Sequence, residues 1–351
     1  MISANSSSVL AHGMRVGVIG IGRMGIRHVQ AARQLGMQPV GLADISAEAL
    51  DVACAAQGLE RVLGFTDAVE MLRQTRPDAV VVATTAPTHA EFVHAAVEMG
   101  VRYVLCEKPM ASSLEQADKM LAACAARGVR LAVNHQMRFM PQYTQVKALI
   151  GSEALGPLSG VVVAGSNFGL AMNASHYFEM FRYITGSPVR TIQAWFEEDL
   201  LPNPRGSQFQ DRSGRLIATS IAGPSMFIEF SATAGYGLQV IYICRNGQIT
   251  VDELSGDMRV AVRKSEFREL PTSRYGMPAD VCQRAVEPAD TVGPTMSVWS
   301  AMLSGAEFPD GLAGRQVLAC LVAAHTSHEG GNCAVALDDP ALPANRVFPW
   351  A

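Results

Sequence analysis

Apolar residues in the first third of the chain fall in short dense runs, separated by segments whose apolar positions recur at helical spacing. The runs are residues 14–19, 38–43, 79–83, 103–106 and 130–133. Each is too short for a helix and too uniformly apolar for a strand with one wet face, so both faces are expected to be buried. Between them, residues 23–35, 47–57, 67–73, 89–99 and 114–127 read as helices. Strand and helix in alternation predict βαβ units and a parallel, doubly wound sheet.

After Asn134 the pattern changes. Residues 158–168, 189–197, 215–222, 226–231, 238–245, 249–254 and 258–263 are consecutive strand candidates with little helix between them, which predicts a mostly antiparallel sheet. Helices predicted over 142–150, 176–184, 294–303 and 315–325 would pack on one face of it. The fold class expected is α/β, with a parallel doubly wound domain over 14–133 and an α+β domain with a mostly antiparallel open sheet over 134–351. The length of 351 residues fits two domains, and no linker or internal repeat marks the boundary.

Composition narrows the functional classes. With 49% hydrophobic and 17% charged residues the chain is compact rather than disordered. A formal net charge of -4 offers no basic footprint for nucleic acid. The seven cysteines are scattered and contain no CxxC pair, so neither a disulfide framework nor a zinc site is expected, and a cytoplasmic setting fits. No metal is expected, because the histidines show no ligand spacing. Residues 1–13, polar and serine-rich, read as a short disordered tail, and no apolar run reaches the roughly 18 residues of a membrane span.

The first candidate chemistry is Gly20-Ile21-Gly22-Arg23-Met24-Gly25, a GxGxxG motif that follows a predicted strand and opens a predicted helix. That context predicts a Rossmann dinucleotide site. Gly20 makes the tight turn, Gly22 lets the backbone approach a pyrophosphate, and Gly25 permits close packing of helix on strand. The helix N-terminus then offers N–H groups and a positive dipole end to the anion. Asp44 ends the second strand about 20 residues downstream, where a carboxylate accepts hydrogen bonds from the adenosine ribose and repels a 2′-phosphate. NAD is favoured over NADP, although Arg23 could meet a phosphate, and Asp44 also has the alternative role of a helix cap or turn residue.

The segment Thr84-Thr85-Ala86-Pro87-Thr88-His89, followed by Cys106-Glu107-Lys108-Pro109, together with the glycine loop, resembles the glucose-fructose oxidoreductase and inositol dehydrogenase family, Gfo/Idh/MocA. The resemblance covers essentially the whole chain. It implies hydride transfer at a carbinol carbon, a second domain that often builds homodimers or homotetramers, and a cofactor bordered by Thr84, Thr85, His89, Glu107, Lys108 and Gln136. It also implies that Lys108 reaches the reacting hydroxyl; an ammonium there stabilises a developing alkoxide. His176, at the start of a predicted helix, matches the family's active-site histidine, and a neutral imidazole can take the hydroxyl proton.

One departure stands out. Many polyol-oxidising relatives carry an aspartate four residues before this histidine, whereas this chain has Met172, with Asn173 and Ser175 the nearby polar residues. Glu179, one turn into the helix, is read as a partner for a cation. Arg138 is expected to face cofactor or substrate, and Arg205, in the loop Asn203-Pro204-Arg205-Gly206, either holds an anionic substrate group or lies in an exposed turn. The preferred activity is an NAD-dependent dehydrogenase or reductase of a sugar or nucleotide sugar. The alternatives are a redox-neutral NAD-dependent enzyme that cleaves glycosides and a dinucleotide-binding sensor without chemistry.

Overall fold

The computed structural model describes residues 10–59, 63–201, 203–270, 278–287 and 290–351. In the first compact unit, β1 (Arg15–Ile19), β2 (Gln38–Ala43), β3 (Gly64–Phe65), β4 (Ala79–Val82), β5 (Tyr103–Cys106) and β6 (Arg130–Val133) form a parallel sheet in the order β3-β2-β1-β4-β5-β6. This is the Rossmann order, in which ligands bind beyond the C-terminal strand ends where the order reverses, here between β1 and β4. Helices α1 (Arg23–Gln34), α2 (Ala47–Gln57), α3 (Ala68–Thr75), α4 (Ala86–Glu98) and α5 (Leu114–Arg127) connect the strands. Ala79, Val80, Val81 and Val82 are all fully buried, as a strand covered on both faces requires.

The helix starts differ in a way that bears on function. Ser46, Asp67 and Ser113 cap α2, α3 and α5 through their side-chain oxygens. Helices α1 and α4, which follow β1 and β4, begin at Gly22 and Thr85 with no side-chain cap. Their first N–H groups are left for another acceptor.

The second unit contains α6 (Pro141–Leu149), β7 (Leu158–Ala164), α7 (Ser175–Thr185), β8 (Val189–Leu201), β9 (Asp211–Ser220), β10 (Ser225–Phe230), β11 (Gln239–Cys244), β12 (Gly247–Asp252), β13 (Asp257–Arg263) and β14 (Ala279–Ala285). With β15 (Val335–Ala336) the strands form a nine-stranded sheet in the order β14-β13-β12-β11-β7-β10-β9-β8-β15. Every pair is antiparallel except β7 with β10. One face is the core: Val161, Val163, Leu216, Ala218, Met226, Ile228, Val240 and Tyr242 are buried. The other carries a cross-strand row in register, Ile217 beside Phe227, Phe227 beside Val162 and Val162 beside Ile241, all half-buried. Strand β14 has every residue exposed, so it lacks the alternation that would announce it in the sequence.

The chain then returns to the first unit, which includes Asp290–Leu318 and Pro343–Ala351. The sequence reading gives both segments to the second domain, and packing explains the difference. Helix α8 (Val292–Ser304) buries Val298, Trp299 and Met302, and the Met302 carbonyl accepts from Arg130 Nη1 at 2.7 Å. At the start of α9 (Gly311–Glu329), Gly311 lies against Leu121 and Leu131 and Gly314 against Val133 and Met110, close approaches that only a residue without a side chain allows. Phe348 and Trp350 stack with centroids 4.6 Å apart, and Phe348 N donates to Ser112 O at 2.9 Å.

Residues 1–9 of the expected tail lie outside the described residues. The remainder is not a loose end: Ala11 is buried, and Gly13 N donates to Gly36 O at 2.9 Å.

Candidate active site

The glycine loop in the first unit is fixed by sterics. Gly20 has φ +87, and a Cβ there would lie 2.7 Å from the Ala83 carbonyl carbon and the Thr84 nitrogen. A Cβ on Gly25 would overlap the Gly20 carbonyl oxygen. Gly22 is different: a Cβ there would meet nothing within 4 Å, so this glycine keeps open the space in front of the uncapped end of α1. Ile21 is buried, whereas Arg23 is exposed and Met24 half-buried.

Asp44 Oδ2 accepts the Ile21 N–H at 2.8 Å, and Oδ1 accepts the Ser46 N–H at 2.9 Å. Its carboxylate thus braces the glycine loop from the end of β2. Ser46, not Asp44, caps α2. Thr84 and Thr85 are half-buried, and Thr88 Oγ1 donates to Thr84 Oγ1 at 2.8 Å. His89, expected at the cofactor, is buried, with Nδ1 2.9 Å from Pro109 O and Nε2 3.1 Å from Thr84 O. It ties the segment after β4 to the one after β5.

Glu107 also differs from its expected role. It is buried, and Oε1 accepts from His28 Nε2 at 2.8 Å and from Asn134 Nδ2 at 2.8 Å. Burial pushes its carboxyl up, but the His28 hydrogen bond and charge, the Asn134 amide and the Lys108 charge outweigh it and bring it down to about 2. His28 lies on α1, so the helix that the glycine loop opens is locked to the strand end that carries Lys108. Lys108 itself is half-buried, and its backbone N–H points to Glu107 Oε2 at 3.3 Å. Gln136 is buried, and its Oε1 has no hydrogen-bond partner among the described residues.

In the second unit, a π-helical turn, Leu170–Ala174, leads into α7, and His176 is buried at the second position of that helix. Asn173 Nδ2 donates to Phe168 O at 3.0 Å. The next residue, Tyr177, donates to Glu253 Oε2 at 2.7 Å, and Tyr143 on α6 donates to the other carboxylate oxygen, anchoring the start of α7. Burial raises the Glu253 carboxyl despite these two hydroxyls.

Arg138 does not present itself to a ligand as expected. It is buried, donates from Nη1 to Glu179 Oε1 at 3.0 Å, and stacks 4.5 Å from the Tyr183 ring centroid. Arg182 donates to Glu179 from Nε at 2.7 Å and from Nη2 at 2.8 Å, so Glu179 is the cation partner the sequence suggests. Arg205 is exposed in a turn closed by its own N–H to Asn203 Oδ1 at 3.0 Å. Among the described residues no group of three His, Cys, Asp or Glu is arranged to hold a metal, and no helix is long and apolar enough to cross a membrane.

Sequence reasoning passes over His28, Asn134 and Asp211. The signal for His28 is its place among the buried residues Gly25, Val29, Ala31 and Ala32 of α1. A ring with polar nitrogens on such a face needs a buried partner. Asp211 carries no comparable mark.

Residues 14–135 match the family model described as the Gfo/Idh/MocA oxidoreductase family with an NAD-binding Rossmann fold. The D-apiose dehydrogenase of Paraburkholderia graminis is 36% identical over 170 residues, covering 48% of this chain and 44% of that protein. Inositol 2-dehydrogenase 4 of Saccharopolyspora erythraea is 29% identical over 258 residues, covering 69% of this chain and 75% of that protein. The solved structure of an inositol dehydrogenase homologue from Azotobacter vinelandii, complexed with NADH and myo-inositol, shares the fold at a TM-score of 0.75. Its identity is 17%, and the match covers 93% of this chain and 98% of that one. The glycine loop and Lys108 lie on the stretch that the family model matches, so residues 14–135 are similar to the NAD-binding Rossmann domain of the Gfo/Idh/MocA oxidoreductases.

Proposed function

We propose that the protein is an NAD-dependent dehydrogenase or reductase that acts at a carbinol carbon of a sugar, cyclic polyol or nucleotide sugar. The observation that carries this reading is the setting of Lys108. A half-buried lysine stands on the C-terminal edge of the parallel sheet, the edge of the glycine loop, and its neighbour Glu107 is locked to α1 by His28. The residues present fit NAD. The open space at Gly22, the uncapped start of α1, the carboxylate of Asp44 and the unpartnered Oε1 of Gln136 are a cradle for a dinucleotide. When bound, NAD supplies the hydride acceptor.

This chain's own residues do the rest. Lys108 holds the substrate oxygen and stabilises the charge that develops on it as the C–H bond breaks. His176 takes the hydroxyl proton on its ring, and in the reducing direction returns it. Glu107 holds the Lys108 backbone, and Asp44 disfavours a 2′-phosphate and so NADP. The D-apiose and inositol dehydrogenases among the relatives support a sugar or polyol as substrate.

The outward face of the nine-stranded sheet supports a homodimer or homotetramer. Trp195, Ile217 and Phe227 line a cavity of about 500 Å³ there, beside Glu197 and Arg215. An apolar patch rimmed by charge on an open sheet face fits a second copy of the same face.

The test offers the purified chain NAD with myo-inositol, D-apiose and a set of nucleotide sugars while NADH absorbance is followed. NADH formation with one of them is expected. Release of free sugar with no net NADH replaces the proposal with the redox-neutral reaction, and bound NAD with neither outcome replaces it with the sensor.

A further inference from the structure

The turn before His176 is held by a carboxylate from another strand. Asp211, the first residue of β9, is only 3% exposed. Its Oδ1 accepts the Ala171 N–H and its Oδ2 the Met172 N–H, each at 2.9 Å. Oδ1 also accepts the Arg212 N–H at 2.9 Å. The next two donors of the turn, Asn173 N and Ala174 N, both reach Gly169 O, at 3.3 and 3.1 Å. Carboxylate and carbonyl between them satisfy the N–H groups that a helix start leaves open.

Gly169 is matched to this clamp. Its φ is +76, and a Cβ there would collide with Asp211 Oδ2, so only glycine leaves room for the carboxylate. A buried carboxylate is costly unless its lone pairs are filled, and here backbone N–H groups and the positive end of the following helix fill them.

The consequence lies in the register of the turn. Ala174 N bonds five residues back, the π pattern, which inserts one residue more than an α turn would hold. At 3.6 residues per turn, losing that insertion rotates the preceding residues by about 100° relative to α7. Asn173 and the segment leading to His176 would then be presented differently.

We propose that Asp211 is a positioning residue for His176, holding from β9 the π turn that presents Asn173 and His176. The proposal rests on reading His176 as the proton acceptor, but the clamp can be tested without it. In Asp211→Ala, hydrogen exchange of the full chain, read by mass spectrometry over residues 168–178, is expected to quicken about tenfold or more, the scale of losing hydrogen bonds to a charged group. Peptides from β11 and β12 stay within about twofold of wild type. Asp211→Asn, which keeps one acceptor, lies between, and Gly169→Ala reproduces Asp211→Ala by displacing the carboxylate. With myo-inositol and NAD as probes, kcat falls about tenfold or more while the KM for NAD holds.

Unchanged exchange over 168–178 in both Asp211→Ala and Gly169→Ala overturns the proposal. So does acceleration spread evenly through the sheet, which is the mark of a general structural role, or a wild-type kcat on a loosened turn. A wild-type protein that turns over none of the sugars, polyols and nucleotide sugars offered counts against the dehydrogenase reading, while the exchange data still decide the clamp.

Discussion

The glycine loop of the first unit and the turn before His176 in the second face one problem, the presentation of chemistry at the head of a helix, and meet it by different means. In the glycine loop the geometry comes from missing side chains: Gly20 and Gly25 let backbones touch, and Gly22 leaves the helix start open. In the turn it comes from added ones, since Asp211 fills the space in front of Ala171 and Met172 and leaves no donor there for a ligand. An open helix start suits an anion that comes and goes. A filled one suits a side chain that must stay still. Asp44 belongs to both styles, because it braces the loop at Ile21 while remaining half-buried at the end of β2.

If the first region depends on backbone contact, Gly25→Ala should abolish it. A methyl overlapping the Gly20 carbonyl is expected to weaken NAD binding more than about 100-fold, read as loss of the NAD-induced rise in Tm. His176→Ala acts on the second region alone. It should lower kcat about 100-fold and leave the NAD-induced rise in Tm intact; a lost rise would mean that the two regions are not separable.

Glu107→Gln tests the buried link beneath Lys108. The folded carboxyl is held at about 2 against an ordinary 4.5, so its contribution is complete above pH 4.5 and is lost as pH falls from there towards about 2. At neutral pH the variant should be less stable by about 3 kcal/mol, and the gap to wild type should shrink between about pH 4.5 and 2. A gap that does not change with pH would show that shape, not charge, matters at this position. The smallest effect is expected at Asp44: Asp44→Ala should move the ratio of NAD to NADP affinity by about tenfold towards NADP. An unchanged ratio would leave Asp44 only its hydrogen bonds to Ile21 and Ser46.

The two regions were not equally legible in the sequence. Uniform apolar runs and regular spacing expose a sheet buried on both faces, so β1, β2, β4, β5 and β6 and the close packing at Gly20 and Gly25 follow from local pattern, whereas the two-residue β3 is too short to leave one. The return of α8 and of Phe348 and Trp350 to that unit is invisible locally, because an apolar helix such as α8 does not say which sheet it covers. The motifs that carry His89, Glu107 and Arg138 direct attention to a cofactor or substrate, but they do not reveal the internal partner that each has. His89 bonds backbone carbonyls, Glu107 pairs with His28, and Arg138 pairs with Glu179. The pairing of Gly169 with Asp211 spans 42 residues and depends on a φ that no composition encodes.

The most direct measurement is the rate of NADH formation by Lys108→Ala on the sugar or polyol that wild type oxidises, at NAD concentrations that give both proteins the same rise in Tm. The account predicts a rate lower by about 1,000-fold with NAD binding retained. A rate within tenfold of wild type would contradict it, since the hydroxyl would then be activated by some other group.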